Sequence, residues 1–262
     1  MPLELDHLSY SSIRTYMDCG LCYKFQKIDK RKPDFQPDSM LFGIAMHKVM
    51  ADFNRERAKG QFVDLETMQK WFTGHWQDLV SRQENISYSN GQDYYSCLSQ
   101  GHQLLQTFME HFDPHQYRVL YVEEPFSIQL EGMPCPVVGY IDLIEEDESG
   151  TVVITEYKTA GKAYSRDQID QNQQLTLYQL AARYNGLNKE NILQKIDCLI
   201  RTKTPKFEQY YTSRDEMDIQ RLKKKIQAVA QAIQAEIFLP NDGSWKCKNC
   251  QFATHCEEWF KA

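Results

Sequence analysis

The chain has 262 residues, 42% hydrophobic and 12% aromatic, with a formal net charge of −6. That apolar content supports a buried core, which argues against disorder, and the length fits one large domain or a domain with an appendage. No window approaches the roughly 20 apolar residues of a membrane span, and the acidic start MPLELDHLSY lacks the pattern of a signal peptide, so a soluble, cytoplasmic chain is expected.

Residues 9–27 open with SYSSIRTYMDC, a helical start with serine caps and apolar positions at Ile13, Tyr16 and Met17. A loop rich in proline and charge follows, DKRKPDFQPDS (29–39). From Met40 to about Arg57 a helix is predicted, with Leu41, Ile44, Ala45, Val49 and Phe53 near helical spacing and His47 within it. Residues 65–84 and 98–112 read as two more helices, with SYSNGQDYYSC between them as a loop.

The periodicity then changes. RVLYVEEPFSIQL (118–130), CPVVGYIDLIEE (135–146) and TVVITEYKT (151–159) have strand character, and DESG (147–150) makes a hairpin of the last two. Residues 167–184 return to helical spacing and stop at Gly186. ILQKIDCLIRT and KFEQYYT are further strands, and a long helix runs from about Arg214 to Ile237 before Pro240 and Gly243. This order predicts an α/β core with a helical N-terminal half. The expected boundaries are 1–39, a helical region 40–117, a core 118–240 and a cysteine-bearing tail 241–262.

Side chains of a strand alternate between faces, so Glu156 and Lys158 share one face with Ile154, opposite Val153, Thr155 and Tyr157. If the two strands pair across DESG, Asp142 and Glu156 approach each other at one end of the sheet. Neighbouring carboxylates repel unless a cation lies between them, and hard oxygen ligands suit Mg²⁺ or Mn²⁺. Lys158 supplies the positive charge that a phosphate transition state needs, and could orient or help deprotonate an attacking water. An isolated Glu–Lys pair on a half-buried strand would more often be plain surface structure; here it is accompanied by GYID, His47 and QLTLY (174–178).

Together these segments resemble the RecB-like branch of the PD-(D/E)XK nucleases, in particular the iron–sulphur members that are CRISPR-associated or helicase-linked (AddB-like). The resemblance spans roughly residues 8–257 and implies a restriction-endonuclease-like core, a mixed central sheet flanked by helices. It rests on a helical histidine after a glycine (His47 in FGIAMH), an aspartate ending a glycine-started strand (Asp142 in GYID), the E-x-K pair (Glu156 and Lys158) and Q-x-x-x-Y on the next helix (Gln174 and Tyr178). The proline of the namesake motif is Ile141 here, a departure common in this branch. The likeness implies that His47, Asp142, Glu156 and the Tyr157 carbonyl hold the metal while Lys158 acts on water or phosphate. Glu123, with Glu124 as neighbouring alternative, would support a second metal or its water shell. Gln174 and Tyr178 would face the DNA backbone or steady Lys158.

The tail carries C-x₂-C-x₅-C at Cys247, Cys250 and Cys256. Three thiolates this close can reach one centre, but a fourth ligand is needed. Spacing alone does not separate zinc from iron, and His255 is an available nitrogen donor. The resemblance implies a [4Fe–4S] cluster held by Cys19, Cys247, Cys250 and Cys256 as a C-terminal staple, with Cys22 competing for the place of Cys19. Cys97, Cys135 and Cys198 read as small buried hydrophobes or free thiols.

The negative charge argues at first against nucleic acid, but basic residues bunch in RTKTPK (201–206), RLKKK (221–225) and KCK (246–248). Arg201, Lys203, Lys206 and the 221–225 run are candidates for DNA backbone contacts, against the plain reading of a solvated surface. The resemblance implies a metal-dependent DNA nuclease, foremost an exonuclease on single-stranded ends with weak sequence preference, and helices of 40–112 are expected as an arch or lid. No GxxxxGK[ST] is present, so unwinding would come from a helicase, CRISPR or recombination partner. The rival readings are a catalytically silent DNA-binding scaffold in a repair or CRISPR-type complex, and a zinc-stapled regulatory protein.

Overall fold

A computed structural model describes residues 3–187 and 192–261. In chain order its main elements are α1 (Tyr10–Asp18), α2 (Asp38–Ala58), α3 (Leu65–Ser81), α4 (Tyr94–His111), β1 (Arg118–Ile128), β2 (Val137–Glu146) and β3 (Val152–Ala160). These are followed by α5 (Gln173–Tyr184), β4 (Ile192–Ile200), β5 (Lys206–Thr212), α6 (Glu216–Gln234) and α7 (Ala253–Lys261). The chain divides into two compact units. One comprises Met1–Gln36, Phe126–Gly139 and Asp215–Ala262, the other Pro37–Pro125 and Tyr140–Arg214.

The second unit is built on a sheet of strand order β1-β2-β3-β4-β5. β2 and β3 form the hairpin expected across DESG, with Leu143 opposite Thr155 and Ile144 opposite Ile154. β3 and β4 are parallel, which requires a crossover connection, and α5 lies in it. β4 and β5 are antiparallel. The result is the mixed sheet of an α/β, restriction-endonuclease-like core.

One face of this sheet is covered by α2, α3 and α4. Phe42, Phe72, Trp76, Leu104 and Phe108 pack there with Leu143, Tyr157 and Leu199 from the strands. These helices are therefore a core layer, whereas the sequence suggested an arch. The aromatic rings bury large apolar areas, and α4 approaches closely enough that a Cβ on Gly101 would lie 2.0 Å from Phe72 Cε1.

The same face carries a buried ionic network. Arg57 Nη1 lies 3.0 Å from Glu145 Oε1, and Lys195 Nζ lies 3.5 Å from Glu145 Oε2 and 3.2 Å from Asp197 Oδ2. Asn54 accepts from Arg57 at 2.6 Å and donates to the Tyr157 hydroxyl at 3.0 Å, and Gln209 donates to Asp197 at 3.1 Å. Two cations against two carboxylates leave the cluster balanced, as burial demands.

Local departures from the expected elements have local causes. Helix α4 begins at Tyr94, inside the expected loop, because Asp93 accepts from the Ser96 N–H at 2.7 Å and Ser96 Oγ accepts in return from the Asp93 N–H at 2.7 Å. The helix expected over 167–184 is broken in two, and α5 restarts where the Asn172 side chain accepts from the Gln174 and Leu175 N–H groups. Helix α1 stops at Cys19, which is extended with φ −166°. The tail, for which no element was read, contains α7.

In the first unit the cysteine expectation is overturned. Among the described residues no three cysteine sulfurs come within 4.8 Å of one another; the sole candidate ligand group of that kind is His47, Asp142 and Glu156. Cys19, Cys22, Cys250 and Cys256 are free thiols packed against Leu21, Phe25 and Phe252. Cys247 is exposed, with its Sγ 3.3 Å from the Asn241 carbonyl. No [4Fe–4S] centre or iron–sulphur staple follows from this arrangement. The chain ends are joined instead by ordinary contacts. The Phe25 and Phe252 rings lie 6.2 Å apart, the Asp34 N–H donates to the Gln251 carbonyl at 2.8 Å, and the Thr254 N–H donates to the Asp34 carboxylate at 3.0 Å. His255, the alternative nitrogen donor, sits 3.0 Å from the Lys32 carbonyl. Spacing placed three thiols close in sequence, but apolar packing around Phe252 takes Cys250 and Cys256 while Cys247 stays exposed.

Three predictions test this packing and its ionic network by chemical denaturation. Gly101→Ala should destabilise by about 1–3 kcal/mol through overpacking against Phe72. Gly74→Ala, in α3 with nothing within 4 Å of the added carbon, should stabilise by about 0.5–1 kcal/mol. Glu145→Gln should cost about 3–5 kcal/mol, since it leaves Arg57 without its carboxylate partner and Lys195 with Asp197 alone.

Candidate metal centre

The β2–β3 pairing ends with Leu143 opposite Thr155, and the next residues beyond it are Asp142 on one strand and Glu156 on the other. The two carboxylates come together where Asp142 is 9% exposed and Glu156 1%. His47 projects from α2 and brings Nδ1 to 3.2 Å from Asp142 Oδ2. One donor atom each from His47, Asp142 and Glu156 falls within a mutual 4.8 Å. The same Asp142 Oδ2 accepts from the Tyr157 N–H at 3.0 Å.

Lys158, one alternation beyond Glu156, places Nζ 2.5 Å from Glu156 Oε1 and donates to Gln174 Oε1 at 2.8 Å. Gln174 donates in turn to the Tyr178 hydroxyl at 2.9 Å, and that hydroxyl donates to Asp142 Oδ1 at 3.5 Å. The two residues are one turn apart on α5, the spacing that puts side chains on one helix face. Six of the residues read from sequence, His47, Asp142, Glu156, Lys158, Gln174 and Tyr178, are thus in one place. Tyr157 enters through its N–H, while its ring belongs to the opposite face of the sheet.

Glu123 also feels this centre. Burial, then the charge of Asp142, pushes its carboxyl up to about 7, with His47 and Arg55 opposing. Its backbone has φ +52°, a left-handed conformation that costs a non-glycine residue energy and clusters at functional sites. Glu124 is not in that left-handed conformation.

The carboxylates respond to one another in opposite directions. Burial and the Asp142 charge push the Glu156 carboxyl up, against Lys158 and His47. Burial pushes Asp142 up as well, but the His47 hydrogen bond and charge, the Tyr157 N–H and Lys158 outweigh it and hold the carboxyl below its usual range. For His47 burial lowers and the Asp142 hydrogen bond and both carboxylate charges raise, the latter prevailing. Lys158 is likewise lowered by burial and raised more by Glu156 and Asp142, so it is an ammonium.

The donor set fits a divalent cation. Glu156 Oε2 is buried and accepts no hydrogen bond, and an orphaned buried acceptor is what a ligand would satisfy. Two carboxylates and an imidazole suit Mg²⁺ or Mn²⁺.

Sequence reasoning missed the network behind the centre. Its signal was present in ILQKIDCLI, where Lys195 and Asp197 alternate within an apolar strand as Glu156 and Lys158 do. It also misread Arg201, which is not a surface cation. Arg201 donates to Gln100 at 2.7 Å, pairs with Asp38 at 3.3 Å and lies over the Phe42 ring at 3.8 Å. Lys203 and Lys206 are exposed.

Comparison with known proteins agrees with this geometry. The profile of the PD-(D/E)XK nuclease superfamily matches residues 7–257, and the chain belongs to that superfamily. Among solved structures, the chain is similar to a candidate exonuclease from Eubacterium rectale, 12% identical with a TM-score of 0.52, covering 93% of this chain and 88% of that one. A structure titled SSO0001 is 14% identical over 90% of this chain and 92% of that one, with a TM-score of 0.33. No curated protein matches. The match reaches the superfamily; with no three cysteine sulfurs within 4.8 Å of one another among the described residues, the iron–sulphur, CRISPR-associated or AddB-like kind expected from sequence has no support. No described helix is long and apolar enough to cross a membrane.

A cation that binds the folded state alone must stabilise it. Thermal unfolding in EDTA and with Mn²⁺ at about a hundred times its dissociation constant should differ by roughly 2.7 kcal/mol. Asp142→Asn and His47→Ala should each shrink that difference by more than half.

Proposed function

We propose that the protein is a Mg²⁺- or Mn²⁺-dependent deoxyribonuclease that trims single-stranded DNA ends with weak sequence preference. Superfamily membership supports metal-dependent nuclease activity in general; the observation that carries the reading to this chain is Lys158, held between Glu156 and Gln174 beside the His47–Asp142–Glu156 group. The likeness in fold to a protein described as a candidate exonuclease is consistent with end trimming.

His47, Asp142 and Glu156 would hold the cation, with the Tyr157 carbonyl as a further donor and Glu123 at the edge of the site. When bound, the cation supplies Lewis acidity toward a phosphoryl oxygen and lowers the pKa of water. The chain's own residues do the rest. The Lys158 ammonium would offset the negative charge on the phosphoryl oxygens as water attacks phosphorus and the P–O bond to the leaving oxygen breaks. Gln174, itself fixed by Tyr178, keeps that ammonium from collapsing wholly onto Glu156. Tyr178 and the Tyr157 N–H hold the Asp142 carboxylate in one orientation. Binding through the DNA backbone would make affinity fall with salt, and Lys203 and Lys206, exposed between β4 and the start of β5, are candidate cations for it. Arg201 is excluded from that role by its burial against Asp38 and Phe42.

End-labelled linear single strands, duplexes and circular single strands should be compared with Mn²⁺ or Mg²⁺. Wild-type protein should shorten linear single strands and leave circles whole. Lys158→Ala and Glu156→Ala should each lose at least on the order of a hundredfold to a thousandfold in rate. Nicked circles would overturn the end requirement. Silence of the wild type with every metal and substrate would turn the reading to a DNA-binding scaffold for a helicase or recombination partner.

A further inference from the structure

β3 and β4 are parallel, so their carboxyl ends lie together, on the side of an open α/β sheet where ligands gather. Ala160 pairs with Ile200 at that end, and Ile200 pairs with Lys206 at the start of β5. Two strand spacings of about 4.8 Å thus separate Ala160 from Lys206. Lys158 stands two residues inside the same end, about 6.6 Å along β3. Pairing runs from Lys158 through Cys198 to Glu208, and Lys206, two residues before Glu208, shares their face. Phe207 takes the opposite face and packs on the Phe108 ring at 5.3 Å.

The stretch that leaves β3 is fastened to this place. The Arg201 N–H donates to the Ala160 carbonyl at 2.7 Å, and the Tyr164 N–H donates to the Tyr210 hydroxyl at 3.2 Å. Arg166 donates to the Tyr211 carbonyl at 2.9 Å, and the Tyr164 and Tyr210 rings meet edge to face at 6.2 Å. Lys162 lies within that stretch and is exposed, as are Lys203 and Lys206.

Neither GKAYSR (161–166) nor RTKTPK (201–206) contains an acid. Their arginines are engaged, Arg166 with Asp170 and Arg201 with Asp38, and Glu208 accepts from the Tyr210 hydroxyl. Lys162, Lys203 and Lys206 form no ion pair among the described residues. Three uncompensated ammonium groups therefore gather at one end of the sheet in a chain of net charge −6, and such a local field attracts anions. The other basic run, RLKKK on α6, is different. It follows Asp215, Glu216 and Asp218, and Arg221 approaches Asp218 at 3.7 Å.

We propose that Lys162, Lys203 and Lys206 form a phosphate-binding lip that holds the single strand on one side of the scissile bond, beyond Lys158. This rests on the nuclease reading of the centre and names the surface that supplies its substrate affinity. Cations spread over roughly 10 Å suit successive phosphates of a strand better than one isolated anion. Phosphate contacts carry no sequence information, in keeping with weak sequence preference.

The test is binding of a short fluorescein-labelled oligo(dT) in EDTA, where no cleavage occurs, read by anisotropy between about 50 and 200 mM salt. Each phosphate neutralised on a single strand contributes about −0.7 to the slope of log affinity against log salt. Lys162→Gln, Lys203→Gln and Lys206→Gln should each flatten the slope by about 0.7, and the triple variant by about 2. Lys203→Arg should keep the wild-type slope, as should Lys224→Gln with Lys225→Gln on α6. All these positions are exposed, and circular dichroism checks that the variants fold. A triple variant with the wild-type slope would overturn the lip, as would a loss carried by the α6 pair or a wild type with no affinity for the oligonucleotide. Cleavage with Mn²⁺ separates the two readings. A wild type that cleaves while the triple variant keeps its slope removes the lip alone. A wild type that binds through the three lysines and never cleaves removes the nuclease alone.

Discussion

The constraint on which the centre depends is the meeting of Asp142 and Glu156 across a hairpin. The antiparallel hairpin, paired as far as Leu143 opposite Thr155, brings them together at its end, and burial removes the water that would screen them. Left alone, such a pair would drive one carboxyl to hold its proton. His47, the Tyr157 N–H and Tyr178 gather on Asp142, whereas Lys158 pairs with Glu156. The two groups are pushed apart, Asp142 down and Glu156 up. By linkage, Glu156 contributes stability below its unfolded pKa and loses it as pH rises through its raised folded value. Asp142 does the reverse, contributing above its unfolded pKa and losing it as pH falls through its lowered one. A fold that keeps this pair gives up stability for a site that can hold a cation.

The opposite face of the same strands solves a similar problem differently. Thr155 and Tyr157 point away from the centre, and beside them Lys195 and Asp197 alternate on β4 as Glu156 and Lys158 do on β3. Around them Arg57, Glu145, Asn54 and Gln209 complete the hydrogen bonds of every carboxylate. Charge is balanced and no carboxylate oxygen there is orphaned. On the metal-centre face Glu156 Oε2 has no hydrogen-bond partner, and the site is open enough that Lys158 keeps 22% of its side-chain exposure. Completeness, more than the presence of buried charge, separates a structural network from a reactive one.

That difference also marks how far sequence could go. E-x-K, GYID, the histidine of FGIAMH and Q-x-x-x-Y were legible because each is a local spacing on one element, and alternation and helical period carry over unchanged into three dimensions. The helix break at Asn172 was less legible, since an asparagine cap looks like any polar residue until its side chain turns to Gln174 and Leu175. Arg201 read as one of a basic cluster because charge density along the chain does not show that Asp38 and Phe42 come to meet it. The cysteines failed for a related reason. A metal site needs convergence in space, and the positions of Cys19 and Cys250 are settled by apolar packing around Phe25 and Phe252. Glu123 was preferred to Glu124 on the resemblance alone, because the left-handed backbone at Glu123 is a property of the folded strand that no local spacing shows.

Helix α2 joins the two faces. His47 reaches Asp142, and seven residues on, Asn54 reaches the Tyr157 hydroxyl. Residues i and i+7 lie on one helical face, so the same stripe of α2 is fastened to β2 at one point and to β3 at another. Tyr157 lies between Glu156 and Lys158 in the chain, and its N–H already holds Asp142. A shift of α2 would therefore move the imidazole and, through Asn54, the strand that carries both Glu156 and Lys158. The buried layer of Phe42, Val49, Met50 and Phe53 holds that helix in place, which gives the aromatic core a direct bearing on the chemistry. The donors are set to a fraction of an ångström by packing on the far side of the sheet, the kind of support a reactive centre needs.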